Sequence, residues 1–437
     1  MKKQGFKIIT LGCKVNQSES AALAQQLGER GLAATSDAGK VAFCVVNTCT
    51  VTSKAAAQSR QTARRAARDY PGAKIVVMGC DARTEPDAFH EIDGVTVVDG
   101  RGRGPDLDGL IRRCGLLGLV GESTHDDILR HAPQKVLLSP RTRPFLKVQD
   151  GCNAHCTYCI VPRARGRSRS VPIEQILAQL TAFETAGFKE VVLTGIHLGA
   201  YGVDLDPPLT LEAMLRRILA SDTTLRLRLS SIEPGEVSDE LIALVAESQT
   251  VCRHFHVPLQ SGDDTILKRM GRPYSRGQFA RVIDTIATRV PDIAIGVDVL
   301  VGFPGETEAA FNQTYNLIES LPVTYLHVFP FSPRPGTPAA KFPGQVTPEV
   351  IKQRCARMRH LGREKRRTFY QRFLGRQVVV LVEGTRDRVS GCLKGVSDHY
   401  LNVTFEGPEE LMNRLVRVRL KRLDRGGNLF GSVVQTN

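Results

Sequence analysis

Short apolar runs that alternate with helical stretches constrain this chain more than any other feature, because that alternation builds parallel sheets. In the first hundred residues Phe6 to Leu11, Val41 to Val46 and Ile75 to Met78 are strand-like. Ser18 to Gly28 and Ser53 to Arg68 are Ala-rich and favour helix. Each apolar run leads into a cysteine, in Gly12-Cys13, Asn47-Thr48-Cys49 and Gly79-Cys80. Parallel α/β sheets bind ligands beyond the carboxyl ends of their strands, which stand about 4.8 Å apart. Cys13, Cys49 and Cys80 are therefore placed to converge on one small object. Taken alone they read better as three unrelated small residues in strand-to-helix turns.

The alternation resumes further on. Phe145 to Gln149, Val191 to Thr194, Leu225 to Leu229, Phe255 to Leu259, Ile293 to Val301 and Leu326 to Phe331 are candidate strands. Helical patterns over Ile173 to Ala186, Leu211 to Ala220, Asp239 to Ala246 and Arg276 to Ile286 separate them. Six strands with helices between predict an incomplete β/α barrel, its site at the C-terminal strand ends. The Gly- and Asp-rich stretch from Gly100 to Gly109 and the residues up to Arg143 read as the way in. Beyond them Val378 to Val382, Asp398 to Phe405, Leu415 to Leu420 and Leu429 to Val434 are short and β-like, punctuated by Gly391, Gly395, Gly426 and Gly427. That rhythm predicts a small barrel of the oligonucleotide-binding kind. The expected domains are 1–140, 141–375 and 376–437.

Within the second domain lies Asp150-Gly151-Cys152-Asn153-Ala154-His155-Cys156-Thr157-Tyr158-Cys159. A four-iron, four-sulfur cluster normally takes four thiolates, so a close set of three leaves one iron open, and an open iron suggests catalysis. A zinc knuckle wants a fourth Cys or His at short range, and His155 sits among the cysteines rather than after them. A disulfide framework fits poorly with eleven cysteines, an odd number. The segment Met1 to Phe6 has no long apolar stretch behind it, and no membrane span is visible. A cytoplasmic, thiol-reducing setting is the expectation.

The net charge of +14 is concentrated: Lys352 to Arg376 holds ten Lys or Arg against the single Glu364. Most such runs are solvated helix faces. Beside a small β module the run reads better as a phosphate-contacting surface.

The cysteine triplet resembles that of the radical S-adenosylmethionine enzymes. Thr10 to Ser20, Asn47 to Thr52, His256-Val257-Pro258-Leu259-Gln260-Ser261-Gly262, Gly302 to Thr307 and Phe331 to Ala339 narrow the resemblance to the methylthiotransferase family. This implies an N-terminal flavodoxin- or Rossmann-like α/β domain, a radical-type incomplete barrel and a C-terminal RNA-binding TRAM barrel. It also implies two [4Fe-4S] clusters, one on Cys152, Cys156 and Cys159 and one on Cys13, Cys49 and Cys80, with S-adenosylmethionine as cofactor. Cys13-Lys14-Val15-Asn16-Gln17 and Thr50-Val51-Thr52 resemble the branch that acts on C2 of N6-threonylcarbamoyladenosine beside the tRNA anticodon. The branches acting on isopentenyladenosine and on a ribosomal protein are the alternatives. The implied partners are a tRNA anticodon stem-loop and an electron donor such as flavodoxin or ferredoxin, with no membrane.

Other candidate contacts follow from placement. Gly195, His197 and Gly199 follow a barrel strand, where glycines let a bound amino acid approach the backbone. A lone His197 or a loop glycine is as often structural. Ser230 and Glu233 follow the next strand and suit a ribose or ammonium, or else cap a turn ahead of Pro234. Arg163, Arg165, Arg167 and Arg169 alternate beyond the triplet and suit a phosphate or carboxylate, or form a solvated loop. Gln260 and Ser261 are assigned only by the motif they share with the family, Gln260 as a cofactor contact. Cys44, Cys114, Cys252, Cys355 and Cys392 read as structural. A non-catalytic RNA-binding protein braced by iron-sulfur clusters is disfavoured, because a brace gains from a complete ligand set. An electron carrier would hardly need so long a chain or a basic β module.

Overall fold

The computed structural model describes residues 5–99, 141–424 and 426–434. Cys114 and the stretch 100–140 lie outside them. The chain divides into two compact units.

The first unit holds the N-terminal sheet together with residues 150–169 and 332–337. Its strands are β1 (Gly5–Thr10), β2 (Ala33–Ala34), β3 (Val41–Thr48), β4 (Lys74–Gly79) and β5 (Val95–Asp99), in the order β2-β1-β3-β4-β5 and all parallel. The Ala-rich segments form α1 (Lys14–Glu29) and α2 (Ser53–Asp69), and α3 (Cys80–Thr84) follows β4 directly. Apolar residues cover both faces of the sheet, Leu23, Leu27, Phe43 and Val45 on one and Val46, Ala63, Ala66 and Phe89 on the other. Small Ala side chains let α2 lie close over β3 and β4. The short strands β7 (Gln149–Asp150) and β8 (Arg169–Ser170) flank the cysteine loop.

The second unit contains the barrel strands β6 (Phe145–Lys147), β9 (Glu190–Thr194), β10 (Arg226–Leu229), β11 (His254–His256), β12 (Ala294–Val301) and β13 (Tyr325–Pro330). They form two parallel three-stranded sheets, β10-β9-β6 and β11-β12-β13. A bridge from Ser231 to His256 joins the two at the β10–β11 seam. This is the expected six-stranded open barrel. Leu227, Leu229, Val297 and Val299 point outward into one core shared with the helices. The alternate residues, among them Glu190, Arg226, Arg228, His254, His256 and Asp298, are polar and face the other way, as strand periodicity requires.

The basic segment is one helix, Pro348–Gln371. Cys355, Met358 and Leu361 join the barrel core, while Phe369 and Tyr370 join the core of the C-terminal module. That module is a closed barrel, β14-β15-β16-β18-β17, with β14 (Gln377–Val382), β15 (Leu393–Ser397), β16 (Asn402–Phe405), β17 (Leu415–Leu423) and β18 (Leu429–Val433). The single strand expected over Asp398 to Phe405 is corrected. Leu393–Ser397 is a strand in its own right, and the chain turns through Tyr400, at φ 59°, before β16 starts at Asn402. Lys394 and Gly395 concealed β15, because an apolar run is hard to see through them.

Candidate functional site

In the first unit the three strand-end cysteines come together. Cys13 precedes α1, Cys49 follows β3 and Cys80 opens α3, on three neighbouring strands. The thiols lie within electrostatic reach of one another. Gly12, at φ +96°, lies against Cys49: a Cβ there would sit 2.7 Å from Cys49 Cβ and 2.9 Å from its Sγ. Gly79, at φ +95°, would bring a Cβ into collision with Asn47 Oδ1 and the Thr48 backbone. Both positions need glycine, for conformation and for space. Burial raises the Cys49 thiol and pushes Cys80 up to about 12. Such thiols stay protonated until a cation displaces the proton, and bound iron would supply that charge.

The loop of Cys152, Cys156 and Cys159 belongs to the same unit. Its backbone rests on residues 166–168: Cys152 N–H donates to Gly166 O at 3.1 Å, and Ser168 N–H donates to Asn153 Oδ1 at 3.0 Å. Gly151, at φ +72°, leaves no room for a Cβ beside Arg167 O. The Ala154 amide donates to Cys152 Sγ at 3.3 Å, the kind of bond that tunes a thiolate ligand.

Arg165 links the loop to α1. Its guanidinium, 4% exposed, donates to Glu19 Oε1 and Asp150 Oδ1, each at 2.9 Å, and to Asn16 Oδ1. Asn16 in turn faces Cys13 Sγ at 3.7 Å and donates to Leu11 O and Thr48 O. Arg165 thus carries a positive charge beside Cys80. Arg163 donates to Pro335 O at 3.2 Å and Arg169 to Arg165 O at 3.4 Å, while Arg167 is exposed. Arg334, also buried, donates to Thr50 Oγ1 at 2.6 Å and stands 3.9 Å from Asp81. Ser53 N–H donates to Ser332 Oγ, and Ser53 Oγ to Pro333 O, fastening residues 332–337 to the start of α2.

In the second unit Gly195, His197 and Gly199 gather after β9. Gln149 Oε1 accepts from His197 N–H at 2.9 Å, and a Cβ on Gly195 would crowd that same oxygen. His197 Nε2 pairs with Glu236 Oε1 at 2.7 Å, and Glu236 packs where a Gly199 side chain would be. Ser230 is buried after β10, with no hydrogen-bond partner for its hydroxyl among the described residues. Glu233 is bound to Arg272, yet burial raises its carboxyl. Gln260 adopts a left-handed φ of 66°, and its amide donates to Asp298 O at 2.9 Å. A backbone held there costs about 1–2 kcal/mol.

Two family models match the chain, the radical SAM superfamily over residues 146–318 and uncharacterized protein family UPF0004 over residues 5–100. A threonylcarbamoyladenosine tRNA methylthiotransferase, MtaB, of Bacillus subtilis strain 168 is 35% identical over 421 residues, covering 94% of this chain and 92% of the relative. The protein of that name from Rickettsia prowazekii is 38% identical, covering 86% and 87%. The chain belongs to the radical SAM methylthiotransferase family. It is accordingly an enzyme, a transferase. The fold is similar to that of the radical S-adenosylmethionine methyltransferase TsrM of Kitasatospora setae, with a TM-score of 0.57 at 16% identity over 77% of each chain.

The meeting of Cys13, Cys49 and Cys80 was legible in sequence because strand ends mark them. The Arg165 clamp was legible only as one arginine of four. His256 belongs to the motif that runs from His256 to Gly262, whereas Asp298 and His327, which stand beside it, belong to none of the motifs. In β12 Asp298 is the single polar side chain amid Val and Leu, and in β13 His327 lies between Leu326 and Val328.

Among the described residues no helix is long and apolar enough to cross a membrane. Six of the ten cations of the basic segment are engaged within the second unit, Arg359 by donating to Val328 O at 3.5 Å. Arg354 and Arg357 pair with Glu308, Arg372 and Arg376 with Asp292, and Lys365 donates to Leu321 O. The outer face of β17, with Arg417, Arg419 and Lys421 exposed at alternate positions, adds a basic stripe that sequence reading passed over.

Proposed function

We propose that this enzyme methylthiolates C2 of N6-threonylcarbamoyladenosine at position 37 of tRNA, on domains bounded at 1–140, 141–375 and 376–437. The observation that carries the two-cluster reading is the meeting of Cys13, Cys49 and Cys80 at adjacent strand ends, in the unit that also holds Cys152, Cys156 and Cys159. The names of the relatives support the substrate.

Each triad fits a [4Fe-4S] cluster with one iron lacking a protein thiolate. Cys152, Cys156 and Cys159 would hold the cluster that, with S-adenosylmethionine, would supply radical chemistry at an unactivated C–H bond, and Cys13, Cys49 and Cys80 would hold the one that would carry sulfur. The chain's own part is to hold and shield. Gly12, Gly79 and Gly151 let backbone pass close to the cysteines. Arg165 fixes the loop of Cys152 against α1 and offsets thiolate charge. Ser230, with its unpartnered hydroxyl, is suited to a cofactor hydroxyl. Gly195 and Gly199 hold Gln149 and Glu236 around His197. The helix surface and the β17 stripe fit an RNA backbone, and a reductant of the flavodoxin or ferredoxin class would deliver the electron.

Threonylcarbamoyl adds a carboxylate, so a site built for it leaves donors unpaired when it is absent. Offered tRNA with threonylcarbamoyl, with isopentenyl or with neither, the enzyme should favour the first by about a hundredfold or more. Preference for isopentenyl tRNA, or activity only on a ribosomal protein, would defeat the substrate assignment and leave the radical chemistry standing.

A further inference from the structure

Inside the second unit, His256 of β11, Asp298 of β12 and His327 of β13 stand on neighbouring strands, facing the same way. One imidazole nitrogen from each histidine and a carboxylate oxygen lie within 4.8 Å of one another. His256 Nε2 is 2.8 Å from Asp298 Oδ1, and His327 Nδ1 is 3.3 Å from the same oxygen. Ligands about 2.1 Å from a metal ion are about 3.0 Å apart at right angles and about 3.4 Å apart in a tetrahedron. Both distances match the edges of a coordination shell. We propose that His256, Asp298 and His327 form a binding site for a divalent first-row transition-metal ion, separate from the six cysteines.

The neighbour of this triad is what a metal-binding histidine requires. Tyr325 OH lies 3.1 Å from His256 Nδ1 and 2.9 Å from His254 Nε2. With the His256 proton on Nε2, that nitrogen donates to Asp298, and the tyrosine hydroxyl donates to Nδ1. With the proton on Nδ1, His256 donates to the tyrosine oxygen, and the hydroxyl turns to His254. The Nε2 lone pair then faces a carboxylate, an arrangement that only a cation between them makes favourable. The ion is therefore accommodated by matched tautomer changes of His256 and His254 and a rotation of the hydroxyl between them, with no net proton lost from either ring. Fixing the ligand tautomer through the far ring nitrogen is the usual second-shell device of metal histidines.

Two imidazoles and one carboxylate suit manganese, iron or zinc, and no thiol joins the set. Three protein ligands leave open positions. His327 is half exposed, so those positions on its side can take water or an anionic ligand oxygen.

Mn2+ is the probe, because it avoids thiolates. Full-length protein with its clusters loaded and oxidised is titrated with Mn2+, and the free-ion electron paramagnetic resonance signal reads uptake. One bound Mn2+ per chain is expected. Its affinity should fall at least about tenfold in His327→Ala and in Tyr325→Phe, both checked for native melting temperature. Crystals soaked in Mn2+ give a readout independent of any variant, an anomalous peak among the three residues. No uptake at millimolar Mn2+, uptake unchanged in His327→Ala, or no peak at the triad would overturn the proposal and leave a hydrogen-bonded His–Asp–His group.

Discussion

Replacing Arg165 by Met removes a cation from a buried set of acceptors while keeping most of the volume. Glu19 and Asp150 both lose their 2.9 Å partner, and Asn16 Oδ1 loses its donor. Glu19 is 8% exposed, so water compensates little. Breaking a buried ion pair by deleting one partner costs about 3–5 kcal/mol. At 1.4 kcal/mol per decade this is about two to four decades in a local opening constant. Arg165→Lys keeps the charge but not the fork, and should lose roughly half of that. The assay is native-state hydrogen exchange on the full chain, following amides of α1 and of the cysteine loop. Both segments should exchange faster by those factors, while amides of the C-terminal barrel stay unchanged. The cysteine loop should also release iron more readily. If Arg165→Met exchanged within threefold of the parent in both segments, the clamp would be an incidental contact and its assigned role wrong.

Anaerobically reconstituted protein should hold about eight irons, falling to about four when either cysteine triad is replaced by Ala; a parent value near four would remove the second cluster. Deleting the chain beyond Ile351 would strip Cys355, Met358 and Leu361 from the barrel core along with the basic surface. Arg417→Glu with Arg419→Glu should instead weaken tRNA binding and reduce the log-log salt slope by about two, and an unchanged slope would exclude the stripe. Glu190, buried and bonded to Arg226 and Arg228, has its carboxyl held below the usual value of 4.5, chiefly by those arginines acting against burial. Its contribution is therefore complete above pH 4.5 and is lost as pH falls through the lower folded value. Since Arg226 and Arg228 also donate to Val396 O and Ser397 O, acid should loosen β15 first, whereas Glu190→Gln should loosen it already at pH 7; protease cleavage near residue 397 reads both.

The sequence alone determined the parallel sheet, the open barrel and the placing of Cys13, Cys49 and Cys80 at three strand ends. Apolar runs of period two and Ala-rich helices admit few alternatives, and a glycine before Cys13, Cys80 and Cys152 announces close approach. It also carried family membership, through motifs spread over the whole chain. Strand β15 escaped because Lys394 and Gly395 interrupt its apolar pattern, although four of its five residues are buried. Tertiary structure decided what the charged residues do. In sequence Arg163 to Arg169 is one alternating run; folded, Arg165 is buried against Glu19, which is 146 residues away, while Arg167 stays in solvent. Six of the ten cations from Lys352 to Arg376 turned out to be paired with Glu308 and Asp292 or bonded to backbone carbonyls. The reason is physical. Backbone periodicity is written into neighbouring residues, but the partner of a charge is chosen by whichever distant segment packing brings within about 3 Å, and no local pattern encodes that choice.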